Sequence, residues 1–165
     1  MAIENPDALI AIKDSIALKG LTSSSLEALT LAHNNVGLAA LKSDNYQKAR
    51  QHFSQALQLS AEDTVARYNL LITEAHIKYK KGNKDGLWDA IQKYNKASFL
   101  KPGLGEPHYY IGLSYLKLGD TDFDLILESY EKALLLDLNP VLRAKVESQK
   151  SQALERKNRL KDFWN

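Results

Sequence analysis

Three stretches of the chain share one spacing of apolar and small residues, with steps of three, four and three. The third member of each set is aromatic and the last is alanine. The sets are Tyr46, Ala49, Phe53 and Ala56; Leu87, Ala90, Tyr94 and Ala97; and Phe123, Ile126, Tyr130 and Ala133. Steps of three and four place all members of a set on one face of an α-helix. The spacing therefore predicts three amphipathic helices, each packing an aromatic ring and small side chains against a neighbour.

A partner helix is expected before each of the three sets, and the first and the third set share a further signal. In both places a glycine follows a β-branched apolar residue, as Val36-Gly37 and Ile111-Gly112. Glycine inside a helix costs about 1 kcal/mol relative to alanine. A close crossing of two helices is the compensation that we expect at both glycines.

The remaining helices are predicted from breakers and caps. Residues 66–81 contain no breaker, which indicates a long helix followed by a loop over residues 82–86. A short helix is expected over residues 6–18. The next helix is expected to begin near Leu26 behind a serine cap and to run to about Lys42. Few prolines and glycines interrupt the chain, so the sequence predicts an all-α protein.

These residues together resemble the tetratricopeptide repeat, a helix–turn–helix unit of about 34 residues. The residues that carry the resemblance are Val36, Gly37, Ala40, Ala49, Phe53 and Ala56 in the first repeat, Ala90, Tyr94, Ala97 and Pro102 in the second, and Ile111, Gly112, Tyr115, Tyr130 and Ala133 in the third. The resemblance covers residues 30–140. The aromatic members of the sets lie 41 and then 36 residues apart, which departs from the family's period.

The resemblance implies a tetratricopeptide-like α-solenoid of three helix–turn–helix repeats. We expect a helical segment over residues 1–29, repeats over about 30–62, 63–104 and 105–140, and a C-terminal capping helix over 141–165. Such arrays need a terminal helix with a polar outer face to cover the last repeat. Loss of that helix is expected to expose the apolar face of the last repeat.

The charge of the chain is uneven. Residues 141–165 hold seven Lys or Arg and three Asp or Glu, a balance of +4 (7 − 3), whereas the whole chain carries +2. We interpret this basic helix as a solvated outer face rather than a nucleic-acid or lipid surface, because acidic residues interrupt it. No apolar run approaches the ~20 residues of a membrane-spanning helix. The N-terminus has no basic n-region followed by an apolar stretch, so a cytoplasmic protein is expected, or a periplasmic one if the chain belongs to a longer protein.

The sequence offers no constellation typical of an enzyme or a metal site. Cysteine is absent, which excludes disulfides and thiolate chemistry. None of the four histidines has a partner at metal-ligand spacing. His33 and His108 fall at equivalent positions of the resembled repeat, and we expect both to pack between helices. We therefore expect no catalytic residue, no metal and no cofactor.

Function is expected to lie in a concave groove, which the first helix of each repeat lines in the family. The resemblance assigns nine residues to this groove: Asn34, Leu38, Lys42, Tyr68, Asn69, Ile72, Tyr109, Leu113 and Lys117. Five of them are apolar or tyrosine and are expected to be exposed. Leu38 and Tyr110 stand where carboxylate-clamp members of the family have Asn and Arg, so an acidic tail is not the expected ligand.

These features favour a protein–protein interaction scaffold that binds a partner peptide with apolar anchors. The alternative is a structural or self-assembly module, in which the N-terminal helix or another copy covers the groove. Under this alternative the partner is another copy of the chain, and the protein is a homo-oligomer.

Overall fold

The computed structural model describes residues 22–119 and 122–164. The regular elements of this part of the chain are α-helices: α1 Ser23–Lys42, α2 Tyr46–Leu59, α3 Thr64–Lys81, α4 Lys84–Leu100, α5 Glu106–Leu118, α6 Phe123–Leu135 and α7 Pro140–Trp164. The only strand-like pairing within it is an isolated bridge between Leu104 and Asp137. The predicted all-α, tetratricopeptide-like fold is confirmed. The short helix predicted over residues 6–18 lies outside the described residues.

Two predicted helix boundaries are wrong. The first long helix begins at Ser23 and not near Leu26, because the Thr22 side chain caps it by accepting a hydrogen bond from the Ser25 backbone N–H at 3.2 Å. The loop predicted over residues 82–86 is much shorter. Gly82 has a positive φ of 71°, which ends α3 in the left-handed conformation that glycine adopts easily. Only residues 82–83 lie outside a helix, since α4 already begins at Lys84.

The chain divides into two compact units, Met1–Glu74 and Ala75–Asn165. In the first unit α1 and α2 lie side by side and antiparallel, joined by three residues. Phe53 is fully buried between them, packed with Ala40 and Ala49. A Cβ on Gly37 would lie 2.7 Å from the Phe53 ring. The glycine therefore permits the close helix crossing that the sequence predicts.

In the second unit α4, α5, α6 and α7 pack in chain order. Tyr130 of α6 is fully buried and repeats the arrangement of Phe53, since a Cβ on Gly112 would lie 2.5 Å from its ring. The loops that follow α4 and α6 are held together by two backbone hydrogen bonds of 2.9 Å each, one from Gly105 N to Asp137 O and one from Asp137 N to Gly103 O.

The C-terminal helix α7 packs along α6 through Val146 and Ala153, which are both buried. Arg143 donates from its guanidinium to the carbonyl oxygens of Leu134, at 2.9 Å, and Leu136, at 3.1 Å. These carbonyls belong to the C-terminal end of α6, where backbone acceptors lack helical partners. None of the helices in the described residues is long and apolar enough to cross a lipid bilayer.

Candidate binding surface

The nine residues that the resemblance assigns to a groove have different environments. Lys42 and Lys117 are exposed, Leu38 and Leu113 are half-buried, and the other five are buried. The expectation of an exposed apolar cluster is wrong for three of its members: Tyr68 is 4% exposed, Ile72 1% and Tyr109 7%.

The buried residues of α3 explain part of this difference. They are Ala66, Tyr68, Asn69, Ile72, Thr73, Ala75 and His76. At about 100° per residue these positions cover roughly half of the helix circumference. The buried surface of α3 therefore includes the face that was assigned to the groove as well as the face that packs within the repeat. The sequence pattern had indicated only a narrow buried stripe.

Tyr109 is buried in an aromatic core within the second unit. Its ring centroid lies 5.1 Å from that of Tyr110 and 6.1 Å from that of Tyr130. Burial raises the pKa of the Tyr109 and Tyr79 hydroxyls above the usual 10.0, so both stay protonated at neutral pH. Lys117 donates to the Tyr79 carbonyl oxygen at 3.3 Å and lies 4.7 Å above the Tyr79 ring. Both predicted site residues therefore have structural contacts.

Asn34 and Leu38 line a cleft of about 610 Å3 in the first unit. We call it the α1–α3 cleft, because its walls are α1 and the segment that leads into the first turn of α3. Its lining residues are Ser23, Leu26, Glu27, Thr30, Leu31, Asn34, Asn35, Leu38, Leu59, Ser60, Glu62, Asp63 and Val65. The volume lies within the range of roughly 300–1,000 Å3 that is typical of ligand clefts.

One wall of the cleft is fixed by Asp63. Its Oδ1 accepts hydrogen bonds from the backbone N–H groups of Val65, at 2.8 Å, and Ala66, at 3.0 Å, and so caps α3. Its Oδ2 accepts from Asn34 Nδ2 at 2.7 Å. One carboxylate therefore ties the middle of α1 to the start of α3. Sequence reasoning missed this link because the two partners lie 29 residues apart.

The open part of the cleft combines apolar side chains with an acidic rim. Leu31 is 52% exposed and Val65 41% exposed, and both face the cleft. Glu27, Glu62 and Asp63 supply three carboxylates, whereas no Lys or Arg is among the described residues that line it. The side chain of Glu62 is almost fully exposed, and its distance of 3.7 Å to Arg67 makes a weak pair at the edge.

A contact between two histidines was also not predicted from the sequence. His33 Nδ1 lies 3.0 Å from His52 Nδ1 across the α1–α2 interface, so one ring donates and the other accepts. His33 is completely buried, in agreement with the expected packing between helices. Within residues 22–119 and 122–164, no group of three or more metal-binding side chains is placed to hold an ion.

Comparison with known proteins supports the repeat fold. Residues 30–63 match the model of the tetratricopeptide repeat family. The fold is similar to that of PcrH from Pseudomonas aeruginosa, with a TM-score of 0.56 and 17% sequence identity over 84% of this chain and 99% of that chain. It is also similar to the fragment of MamA from Desulfovibrio magneticus RS-1 that begins at its residue 41, with a TM-score of 0.50 and 17% identity over 95% of this chain and 93% of that chain.

The family match over residues 30–63 and the two structural likenesses support the tetratricopeptide-like all-α fold that the sequence predicts. Both structural likenesses are distant in sequence and extend only to the fold. A comparison with curated protein sequences finds no match.

Proposed function

We propose that this protein is an interaction scaffold that binds a peptide segment of a partner protein, and that the α1–α3 cleft holds the apolar anchors of the peptide. The observation that carries the proposal is the exposure of Leu31 and Val65 in a cleft of about 610 Å3 that is lined largely by the family-matched residues 30–63. Exposed apolar side chains that line one concavity are typical of interaction sites.

The chemistry of the cleft supports binding rather than catalysis. The carboxylate of Asp63 and the amide nitrogen of Asn34 are engaged in fixing the wall. The accessible surface consists largely of leucine and valine side chains beside single carboxylates, which suit recognition of a side chain better than proton transfer.

Of the nine residues assigned from the sequence, Asn34 and Leu38 belong to this cleft. In the proposal Leu38 contributes to its apolar floor, and Asn34 holds its shape through Asp63. The remaining seven lie elsewhere. Lys42, Leu113 and Lys117 keep accessible surface, whereas Tyr68, Asn69, Ile72 and Tyr109 contribute through packing.

A displayed library of random dodecapeptides, selected against the whole chain, tests this proposal. Affinities of the selected peptides are then measured by calorimetry for the wild type and for Leu31→Gln and Val65→Gln. We expect each cleft variant to bind at least about tenfold more weakly, since well-placed apolar anchors contribute more than 1 kcal/mol.

The matched control is Phe99→Gln, which removes an exposed apolar side chain outside the cleft. It should leave the affinities unchanged, and circular dichroism should show equal helix content in all variants. Selected peptides whose affinity is the same for the wild type and both cleft variants would overturn the proposal.

A further inference from the structure

The C-terminal end of α7 extends past the helix against which it packs. Lys150 pairs with Glu131 at 2.9 Å and Lys157 pairs with Asp124 at 2.5 Å, so α7 runs antiparallel to α6. Asp124 is the second residue of α6. The seven residues 158–164 therefore continue beyond the end of α6, over a length of about 10 Å at 1.5 Å per residue.

This projecting end carries exposed apolar side chains. Leu160 is 44% exposed and Phe163 79% exposed, and their spacing of three places them on the same face of the helix. Large apolar side chains that cluster on one accessible surface are typical of a docking site.

The same end is basic. Residues 154–164 contain four Lys or Arg and two Asp or Glu, a balance of +2 (4 − 2). The side chain of Arg159 is 69% exposed and lies 3.9 Å from Glu155, which is too long for a strong pair. Lys161 is also exposed.

The α1–α3 cleft complements this end in both respects. It offers Leu31 and Val65 as apolar contacts, and it carries Glu27 and Glu62 at its rim without a Lys or Arg among its described lining residues. A short amphipathic helix that presents apolar anchors three residues apart is a common occupant of such a groove. Complementary charges would fix its orientation.

We propose that residues 154–164 of one copy dock in the α1–α3 cleft of a second copy. Leu160 and Phe163 seat against Leu31 and Val65, and the basic side chains of the helix lie against Glu27 and Glu62. This inference rests on the proposed function, because it assigns the end of α7 as one occupant of the peptide cleft. The two surfaces differ, so the contact is head-to-tail, and every added copy leaves one cleft and one helix end available.

Sedimentation velocity of the whole chain tests the inference. A small interface of this kind gives weak association, so the concentration is varied from about 10 µM to about 1 mM. The mass should rise continuously with concentration at about 0.05 M salt and should rise much less at about 0.5 M salt, where charge pairing is screened.

Charge reversal identifies the surfaces. The cleft variant E27K/E62K and the helix variant R159E/K161E should each self-associate at least about tenfold more weakly than the wild type, since opposed charges become like charges. An equimolar mixture of the two variants should associate again. The basic helix of the cleft variant matches the acidic cleft of the helix variant, and the acidic helix of the helix variant matches the basic cleft of the cleft variant. Lys96→Glu, on α4, is the control and should associate as the wild type does.

A chain that stays monomeric at the highest concentration would overturn the inference, as would an equimolar mixture that does not regain association. Binding to vesicles of anionic lipid by a chain that remains monomeric would also overturn it and assign the basic end to a membrane surface. In each case, binding of library peptides that depends on Leu31 and Val65 would leave the proposed function intact.

Discussion

Asn34 shows at the scale of one residue how a family resemblance and a structure differ. The resemblance assigns Asn34 to the surface that contacts a ligand, whereas its Nδ2 donates a hydrogen bond to Asp63 at 2.7 Å. A hydrogen bond to a charged acceptor contributes about 1.5–3 kcal/mol, so the side chain has a structural role whether or not a ligand is bound. The family resemblance gave the place of Asn34 on α1. It did not give the partner, because Asp63 is the residue that caps α3.

His108 gives a test at the same scale. Burial lowers the pKa of its imidazole below the usual 6.5, and the nearby positive charge of Lys132 lowers it further. The folded chain therefore favours neutral His108. As the pH falls below about 6.5, the unfolded chain takes up a proton that the folded chain does not, so stability decreases.

We expect His108→Gln to reduce the loss of stability between about pH 7.5 and about pH 5. The free energy of unfolding in urea, measured at both pH values for the wild type and the variant, checks this. An equal loss in the two proteins would show that His108 does not couple folding to protonation.

At the scale of helices, local spacing predicted most of the observed structure. The three-four-three sets and the two helical glycines correctly indicated α2, α4, α6 and their close partners. The loop over residues 82–86 was predicted too long because two glycines were taken as one turn. Gly82 supplies the turn, whereas Gly86 is buried in the first turns of α4.

The crossing at Gly112 predicts an unusual response to alanine. Alanine favours a helix over glycine by up to about 1 kcal/mol. The added Cβ would, however, lie 2.5 Å from the buried Tyr130 ring, and overpacking costs about 1–3 kcal/mol. We therefore expect Gly112→Ala to destabilise the protein in urea unfolding. Gly103→Ala, which meets no atom within 4 Å, should be close to neutral, and equal stabilities of the two variants would contradict the account.

The two parts of α7 should respond differently to truncation. Removal of residues 141–165 takes away Val146, Ala153 and the Arg143 contacts to the end of α6. We expect aggregation or a loss of several kcal/mol, at about 25 cal/mol per Å2 of apolar surface exposed. Removal of residues 158–165 alone retains these contacts, so the thermal midpoint should change little. A full truncation with an unchanged midpoint would mean that α7 is an independent appendage.

For the molecule as a whole, the sequence predicted the all-α repeat fold but only some of the residues of the candidate binding surface. Composition and spacing predict an all-α repeat protein, and the match of residues 30–63 to the tetratricopeptide repeat agrees with this prediction. The assignment of nine residues to a groove presupposed that the same face of the first helix is exposed in every repeat. Burial depends on which helices cover each position, and helix spacing alone does not contain that information. Tyr68 and Ile72 were therefore misplaced on an exposed surface, while Leu31 and Val65 were not considered.

The central claim is that a peptide binds in the α1–α3 cleft, and amide chemical-shift mapping tests it most directly. The whole chain, labelled with 15N, is titrated with the strongest peptide from the library selection. The largest shifts are expected in the cleft-lining parts of residues 26–38 and 59–65, with little change along α4. Shifts confined to other helices, or saturable binding without any shift in these two segments, would contradict it.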